Sequence, residues 1–490
     1  MRSPLRLLPV LALSALSVLA ACTVGPDYEG PSTAGTPPVP QHFARAGQDV
    51  AAAAPTPAPW WTALGDPVLD ELEQRALVGN PGIAVAQARL QQARSALRLE
   101  RANGLPNANA QAMAAHAQLP GIDLGSSGNG GDQGGGGQSG GDDSESLNFY
   151  NIGFDASWEI DLFGGHRRSV EASRASLAAA EANVADAQVS LAAEIGQAYV
   201  NLRDRQQRLA LAQHSAASQR DILKLTEQRY ARGTTSALDV ERQRSLTEQS
   251  ESALLPLKAE ESAYLNALAT LVGEAPGALD DLLTAPKAIP LPPASVAIGD
   301  PAALLQRRPD IRAAERQLAA ATAQIGVAEA ARFPRISFMG LIGIGGTDPE
   351  DVVDLDNLAA IAMPRLSWNI LDFGRNGARV GQAQGAREEA AAAYRQTVLS
   401  ALRDTEDALS RYGASRQSVA SAARTRTSAQ RTLTLTRQRF TAGTASRIDL
   451  LDAQRQSFNA EQSLSQATAT MTADYVALQK ALGLGWSDPS

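Results

Sequence analysis

Two stretches decide how this chain is read: "TEQRYARGTTSALDVERQR", Thr226 to Arg244, and "TRQRFTAGTASRIDLLDAQR", Thr436 to Arg455. Each places a Gly-Thr pair, Gly233-Thr234 and Gly443-Thr444, between segments of strong helix formers, and the two pairs stand 210 residues apart. Glycine suits the left-handed end of a helix. Ser236-x-x-Asp239 and Ser446-x-x-Asp449 then have the spacing of a capping box at the start of the next helix. Each stretch therefore predicts a hairpin tip between two antiparallel helices.

Working outward, the offset of 210 holds without gaps, placing Trp158 on Trp368, Phe163-Gly164 on Phe373-Gly374, Asp239 on Asp449 and Gly273 on Gly483. Upstream the offset becomes 228, which pairs Leu90 with Leu318 and Pro106 with Pro334. The difference of 18 residues is an insertion in the first copy, and it falls in the Gly-rich run from Gly125 to Asp143. Such a run cannot bury a core and reads as a flexible loop. The chain is one unit written twice: repeat 1 over residues 65–274 and repeat 2 over 301–483, with a Pro-rich linker at 275–300 and a tail at 484–490.

Within each repeat the hydrophobic period changes in the same order. A helix over about 81–103, or 309–332, comes first. Strands follow at about 106–118 and 148–160 around a loop at 119–147, and at about 335–345 and 359–370 around the acidic loop that starts at Gly346. From Tyr150 to Ile160 apolar and polar residues alternate, and Leu366, Trp368 and Ile370 repeat the pattern. Alternation suits a half-buried sheet or a membrane barrel equally. Long helices come last, at about 165–232 and 236–272, then 375–441 and 446–482. In the first of these, Val170, Leu177, Val184 and Leu191 recur every seven residues, and the seam resumes after a shift of four at Ile195, Leu202, Leu209, Ala216, Leu223 and Tyr230. That is coiled-coil behaviour, on a helix about 100 Å long at 1.5 Å per residue. Pro256 is expected to kink the returning helix of repeat 1, while Gln466 leaves its counterpart straight.

Composition narrows the class. Aromatic residues are only 4% of the 490, which argues against a large globular core. Residues 1–21 read as a signal peptide: Arg2 and Arg6, an apolar run from Leu7 to Leu19, and small residues up to Cys22, the chain's one cysteine. A single cysteine makes no internal disulfide, and its position invites lipidation of Cys22 as the new N-terminus, an ordinary secretory signal being the plainer reading. A Pro-rich segment over 22–64 follows. The formal charge of −8 falls to about −10 once Arg2 and Arg6 are removed, so nucleic acid is not an expected partner. No run of eighteen apolar residues follows the signal, so if the chain crosses a membrane its strands do it. The "DFG" of Asp372–Gly374 lacks the companion motifs of a kinase, and His42, His116, His166 and His214 have no metal-ligand spacing. No enzyme chemistry, cofactor or metal is expected.

The order of features resembles the TolC-like outer-membrane factor family, in its lipoprotein branch. It is carried by the lipobox "LAAC", by "CTVGPDYEGP" from Cys22, by "WWTALGDPVLDELEQRAL" from Trp60, by the tips "RYARGT" and "RFTAGT", and by "DLLDAQR" from Asp449. The resemblance implies a mainly α fold with transmembrane β: a homotrimer whose twelve strands form a β-barrel continued by a long α-helical coiled-coil tunnel. It implies a passive outer-membrane channel of a tripartite efflux system, anchored in outer-membrane lipid and partnered by a periplasmic membrane-fusion adaptor and an inner-membrane pump of the RND type. Type I protein secretion and a structural coiled-coil envelope lipoprotein are the alternatives. By the same resemblance Ile448, Asp449, Asp452 and Arg455 line the periplasmic constriction, the tips at Gly233, Thr234, Gly443 and Thr444 dock the adaptor, and Trp158 and Trp368 sit at the membrane interface. A capping box already accounts for Asp449, and Asp452 is spaced to pair with Arg455. Phe440 and Ala445 depart from the Tyr and Arg that some members carry in the tip network.

Overall fold

The structure, a computed structural model, describes residues 23–31, 40–47, 50, 51, 53, 55, 59–120 and 144–486. Cys22 and the Gly-rich run at 125–143 lie outside the described residues. In chain order the main elements are α1 (Pro67–Gly79), α2 (Pro81–Asn103), β1 (Asn107–Pro120), β2 (Ser144–Ile160), α3 (Gly165–Ala231), α4 (Ala237–Ser252), α5 (Leu254–Val272), α6 (Pro309–Ala330), β3 (Arg335–Gly346), β4 (Leu358–Ser367), α7 (Arg375–Thr441) and α8 (Arg447–Ala481). They fall into two compact units, one made of residues 1–29, 94–174 and 319–388, the other of 30–93, 175–318 and 389–490.

The first unit is built on a four-stranded antiparallel sheet whose spatial order β1-β2-β3-β4 follows the chain. Register stacks apolar residues on one face and leaves a mixed set on the other, where Met339 and Leu341 face Ser157 and Asp155. Trp158 lies opposite Phe338, Phe154 opposite Ile342 and Ile152 opposite Ile344, while Asn109 and Asp155, on the other face, hydrogen-bond at 3.2 Å. The apolar face is uncovered: Ile152, Phe154, Trp158, Phe338, Ile342 and Leu366 are all exposed. All ten residues of β4, at the sheet edge, are exposed as well. A water-soluble antiparallel sheet commonly buries its apolar face; this one leaves that face uncovered, as a lipid-facing strand set does.

The second strand of repeat 2 stops at Ser367, three residues short of the expected Ile370. Its counterpart β2 continues to Ile160 because Ser337 and Ile336 of β3 pair with Glu159 and Ile160. Trp368–Ile370 lie on an open edge where the single chain offers no such neighbour, and the backbone turns instead, Ile370 N donating to Trp368 O at 3.1 Å.

The second unit corrects the expectation that few aromatics leave no sizeable core. They are concentrated rather than spread: Trp60 meets Trp61 edge-on at 5.7 Å and Tyr475 at 6.1 Å, and Tyr475 meets Tyr412 at 6.1 Å. Leu69 and Leu72 of α1, Ile195 and Leu202 of α3, Leu268 of α5 and Leu478 of α8 complete this core. Asp66 caps α1 by accepting from Val68 N at 3.0 Å, and the buried Tyr199 hydroxyl donates to its other carboxylate oxygen. The seam of α3 is buried from Val184 through Ala216 and is exposed again at Tyr230. The returning helix of repeat 1 is not one helix over 236–272 but two, α4 and α5, parted at Ala253. Pro256 has no N–H to offer the carbonyl of Ser252, so the ladder fails there. Its counterpart α8 runs unbroken from Arg447 to Ala481.

Candidate functional site

The two hairpin tips are built alike. After α3, Gly233 N donates to Tyr230 O at 2.8 Å and Thr234 N to Arg229 O at 2.9 Å; after α7, Gly443 N donates to Phe440 O at 3.0 Å and Thr444 N to Arg439 O at 2.8 Å. This is the paired bonding of a Schellman end, and it requires a left-handed residue: Gly233 has φ 69° and Gly443 φ 75°. The threonines repeat the bond with their side chains, Thr234 Oγ1 to Arg229 O at 3.0 Å and Thr444 Oγ1 to Arg439 O at 3.1 Å. Gly-Thr is thus a two-residue device that closes one helix and turns the chain toward the next. Both capping boxes form, with Ser236 Oγ accepting from Asp239 N and Ser446 Oγ from Asp449 N at 3.2 Å. The Ser446 hydroxyl and backbone N–H hold the Asp449 carboxyl below its usual range.

Ile448, in the first turn of α8, is 73% exposed. One turn on, Asp452 accepts from Arg455 at 2.6 Å and from Gln456 at 2.7 Å. The carboxylate is therefore within a local network on one helix face, with Ile448 preceding it by one turn. Sequence reasoning missed Arg447: its Nη2 donates to Ile222 O at 3.3 Å and ties the second hairpin to the first. A signal existed in the repeat itself, since Arg447 stands where the first copy has Ala237. A pair within each hairpin was also missed, although the offset aligns its members: Arg220 meets Glu251 at 2.7 Å in repeat 1, and Gln430 meets Glu461 at 2.8 Å in repeat 2.

The strand-to-helix corners of the first unit hold the two tryptophans. Trp158 Nε1 donates to Gly104 O and Trp368 Nε1 to Arg332 O, both at 3.0 Å, and Gly104 and Arg332 are themselves related by the offset of 228. Each indole keeps its apolar body exposed while its N–H is satisfied, the arrangement favoured at a membrane–water interface. Beside the first corner lies the segment that follows Cys22. Val24 N donates to Phe163 O at 3.1 Å, and Arg168 donates to Val24 O, Gly25 O and Asp27. Among the described helices none is long and apolar enough to cross a membrane.

Comparison with known proteins gives one consistent result. The sequence profile of the family described as "Outer membrane efflux protein" matches residues 72–274 and 301–484. The chain is 31% identical to the outer membrane protein OprJ of Pseudomonas aeruginosa, over 98% of this chain and 97% of that protein. It is 30% identical to the toluene efflux pump outer membrane protein TtgI of Pseudomonas putida, over 97% of this chain and 98% of that one. Among solved structures, the outer-membrane channel OprN superposes with a TM-score of 0.83 at 34% identity, covering 96% of this chain and all of that one.

Proposed function

The chain belongs to the outer membrane efflux protein family, and from that premise we propose that it is the outer-membrane channel of a tripartite efflux system, conducting small molecules passively and doing no chemistry on them. Channels of this family span the outer membrane, extend into the periplasm and assemble as homotrimers, working with a periplasmic adaptor and an inner-membrane pump. The observation that carries the reading is the sheet: its apolar face is uncovered, and four strands cannot close on themselves, whereas bacterial barrels begin at about eight. Three chains supply twelve.

In this reading Ile448 and Asp452, with Arg455 beside it, line the periplasmic constriction, where three acidic side chains favour cations. Asp449 serves there chiefly as the capping partner of Ser446. The tips at Gly233-Thr234 and Gly443-Thr444 offer the adaptor rigid turns. Cys22 carries the lipid; the residue after it, Thr23, packs against Gly164 at the corner that holds Trp158, where an added Cβ would lie 2.7 Å from Thr23 Cγ2. Trp158 and Trp368 mark the membrane interface.

The test is accumulation of a fluorescent dye in the producing bacterium. Loss of the gene is expected to raise accumulation severalfold, and the wild-type gene to restore it. Unchanged accumulation, with polypeptides missing from the culture medium instead, would replace efflux with protein export.

A further inference from the structure

The two hairpins of the sheet end at different levels. β1 and β2 stay paired for six residues past Tyr150, to Ser144, whereas β3 stops at Gly346, which faces Tyr150. The character of the uncovered face changes at that level. Ile152 and Tyr150, opposite Ala112 and Ala114, give way to Asn148 opposite His116, whose Nδ1 lies 2.6 Å from Asn148 Oδ1. At the other end the apolar row starts where Trp158 faces Phe338. From Trp158 to Tyr150 a strand rises about 26 Å, which is about 20 Å of membrane at a barrel tilt of about 40°, against an apolar band about 25 Å tall. The pair Tyr150–Gly346 thus marks the outer edge of that band, a level that favours tyrosine.

The loop after β3 folds back over this edge. Gly346 shares the alternation of Ile342 and Ile344, so a Cβ on it would point to the apolar face, and there it would lie 2.8 Å from the Cβ of Asp351. Asp351 is seated by the Asp348 N–H at 2.9 Å and by Asn357 Nδ2 at 3.3 Å, and the turn Pro349–Val353 lies against β2 and β3. Two apolar residues of this self-capped loop are left uncovered: Val353 is 79% exposed and Leu355 74%. They follow on from the uncovered apolar row, whose last member on β4 is Leu358, facing Ile344.

We infer that the loop at 347–357 is a membrane contact, with Val353 and Leu355 entering the acyl region of the outer leaflet beside the edge of the barrel's apolar band. The inference rests on the channel reading for the presence of the bilayer, and adds a contact outside the barrel wall. The carboxylates of Glu350, Asp354 and Asp356 on the same loop limit its depth, because charge does not follow apolar groups into hydrocarbon. The loop therefore rests at the headgroup level with its apolar side chains immersed. Repeat 1 has no counterpart, since its run from Gly125 to Asp143 carries no apolar side chain.

Nitroxide labels on single added cysteines test this in the full-length trimer, reconstituted in vesicles of phosphatidylethanolamine and phosphatidylglycerol. The protein without an added cysteine supplies the background. Each label is relaxed by oxygen, which concentrates in hydrocarbon, and by a nickel chelate, which stays in water. The ratio of oxygen to nickel collisions at Val353→Cys and Leu355→Cys is expected to be roughly fivefold or more above that at Glu350→Cys, and to approach that at Ile342→Cys in the sheet. Ratios no higher than at Glu350→Cys, with Ile342→Cys in lipid, would place the loop in water, and few collisions with either reagent would place it under a partner subunit. Each of these results overturns the membrane contact and leaves the channel reading standing. A water-like ratio at Ile342→Cys in intact trimers overturns the channel reading as well. Should a labelled variant fail to assemble, photolabelling of the unmutated trimer from a diazirine on the lipid acyl chain decides: residues 349–357 are expected to be modified, and modification of β3 without them overturns the inference.

Discussion

Arg455 Nη2 stands 2.6 Å from Asp452 Oδ1, one helical turn along α8. Both side chains are well exposed, and exposed pairs of this kind contribute about 0–1 kcal/mol. In the channel we propose, the pair is thus expected to matter for passing ions more than for the fold. Asp452→Lys is predicted to leave the trimer and its melting temperature within a degree or two of wild type. In planar bilayers it is predicted to shift the preference from cations toward anions, because three negative charges become three positive ones. Unaltered selectivity and conductance in intact trimers would remove Asp452 from the constriction.

The helix ends make a separable prediction. Nothing lies within 4 Å of a Cβ placed on Gly443, so Gly443→Ala meets no clash, and its cost is that of holding a side chain at φ 75°. A left-handed conformation costs an L-residue about 1–2 kcal/mol. Amide exchange at Thr444, whose N–H closes the Schellman end, is expected to speed up roughly tenfold. An unchanged rate would mean that the turn is held from outside the hairpin.

Much of this architecture was legible because it is written twice. The offset that aligns Gly233 with Gly443 also aligns strands, corners and helices, and the structure keeps the same hydrogen bonds at both tips. The capping boxes were readable from spacing because their partners are local. What escaped reading involves partners far apart in the chain: the Arg447 bond to Ile222, the stacking of Phe163 on Phe333, and the aromatic core where Trp60 meets Tyr475. Periodicity reports which face is apolar, not what covers it. The early end of β4 at Ser367 has another cause, since alternation continues to Ile370 but a strand needs a neighbour.

Glu73 has both carboxyl oxygens buried without a hydrogen-bond partner, on a helix otherwise packed by Leu69, Leu72 and Ala76. Burial, and secondarily the charge of Asp70, pushes its carboxyl well above the ordinary value of 4.5. The folded state therefore holds a proton that the unfolded state releases, and stability falls as pH rises from the unfolded toward the folded pKa. Glu73→Leu removes the orphaned oxygens, whose burial costs about 1–3 kcal/mol. It is predicted to raise the melting temperature at pH 8 and to make much less difference at pH 4. An equal gain at both pH values would show that Leu acts through packing alone.

Arg168 gathers residues 24–27 onto α3. Its side chain is 4% exposed and donates to Val24 O at 3.2 Å, Gly25 O at 3.1 Å, Asp27 at 2.6 Å and Glu171 at 2.8 Å. Gly326 admits the segment from beneath, since a Cβ there would lie 2.7 Å from Arg168 Cγ and 2.9 Å from Val24 O. Two substitutions thus reach the same contact by different means: Arg168→Ala removes the donors, and Gly326→Ala removes the space. Both are predicted to release residues 23–29 and to raise their rate of limited proteolysis about tenfold or more, consistent with losing roughly 1.4 kcal/mol or more of local stability. Arg168→Lys keeps the charge but not the fork that reaches two carbonyls and a carboxylate, so it is expected to fall between them and wild type. Cleavage that speeds up in Arg168→Ala alone would reduce the cradle to the ion pair with Asp27, and wild-type rates in both would mean that another contact holds the segment.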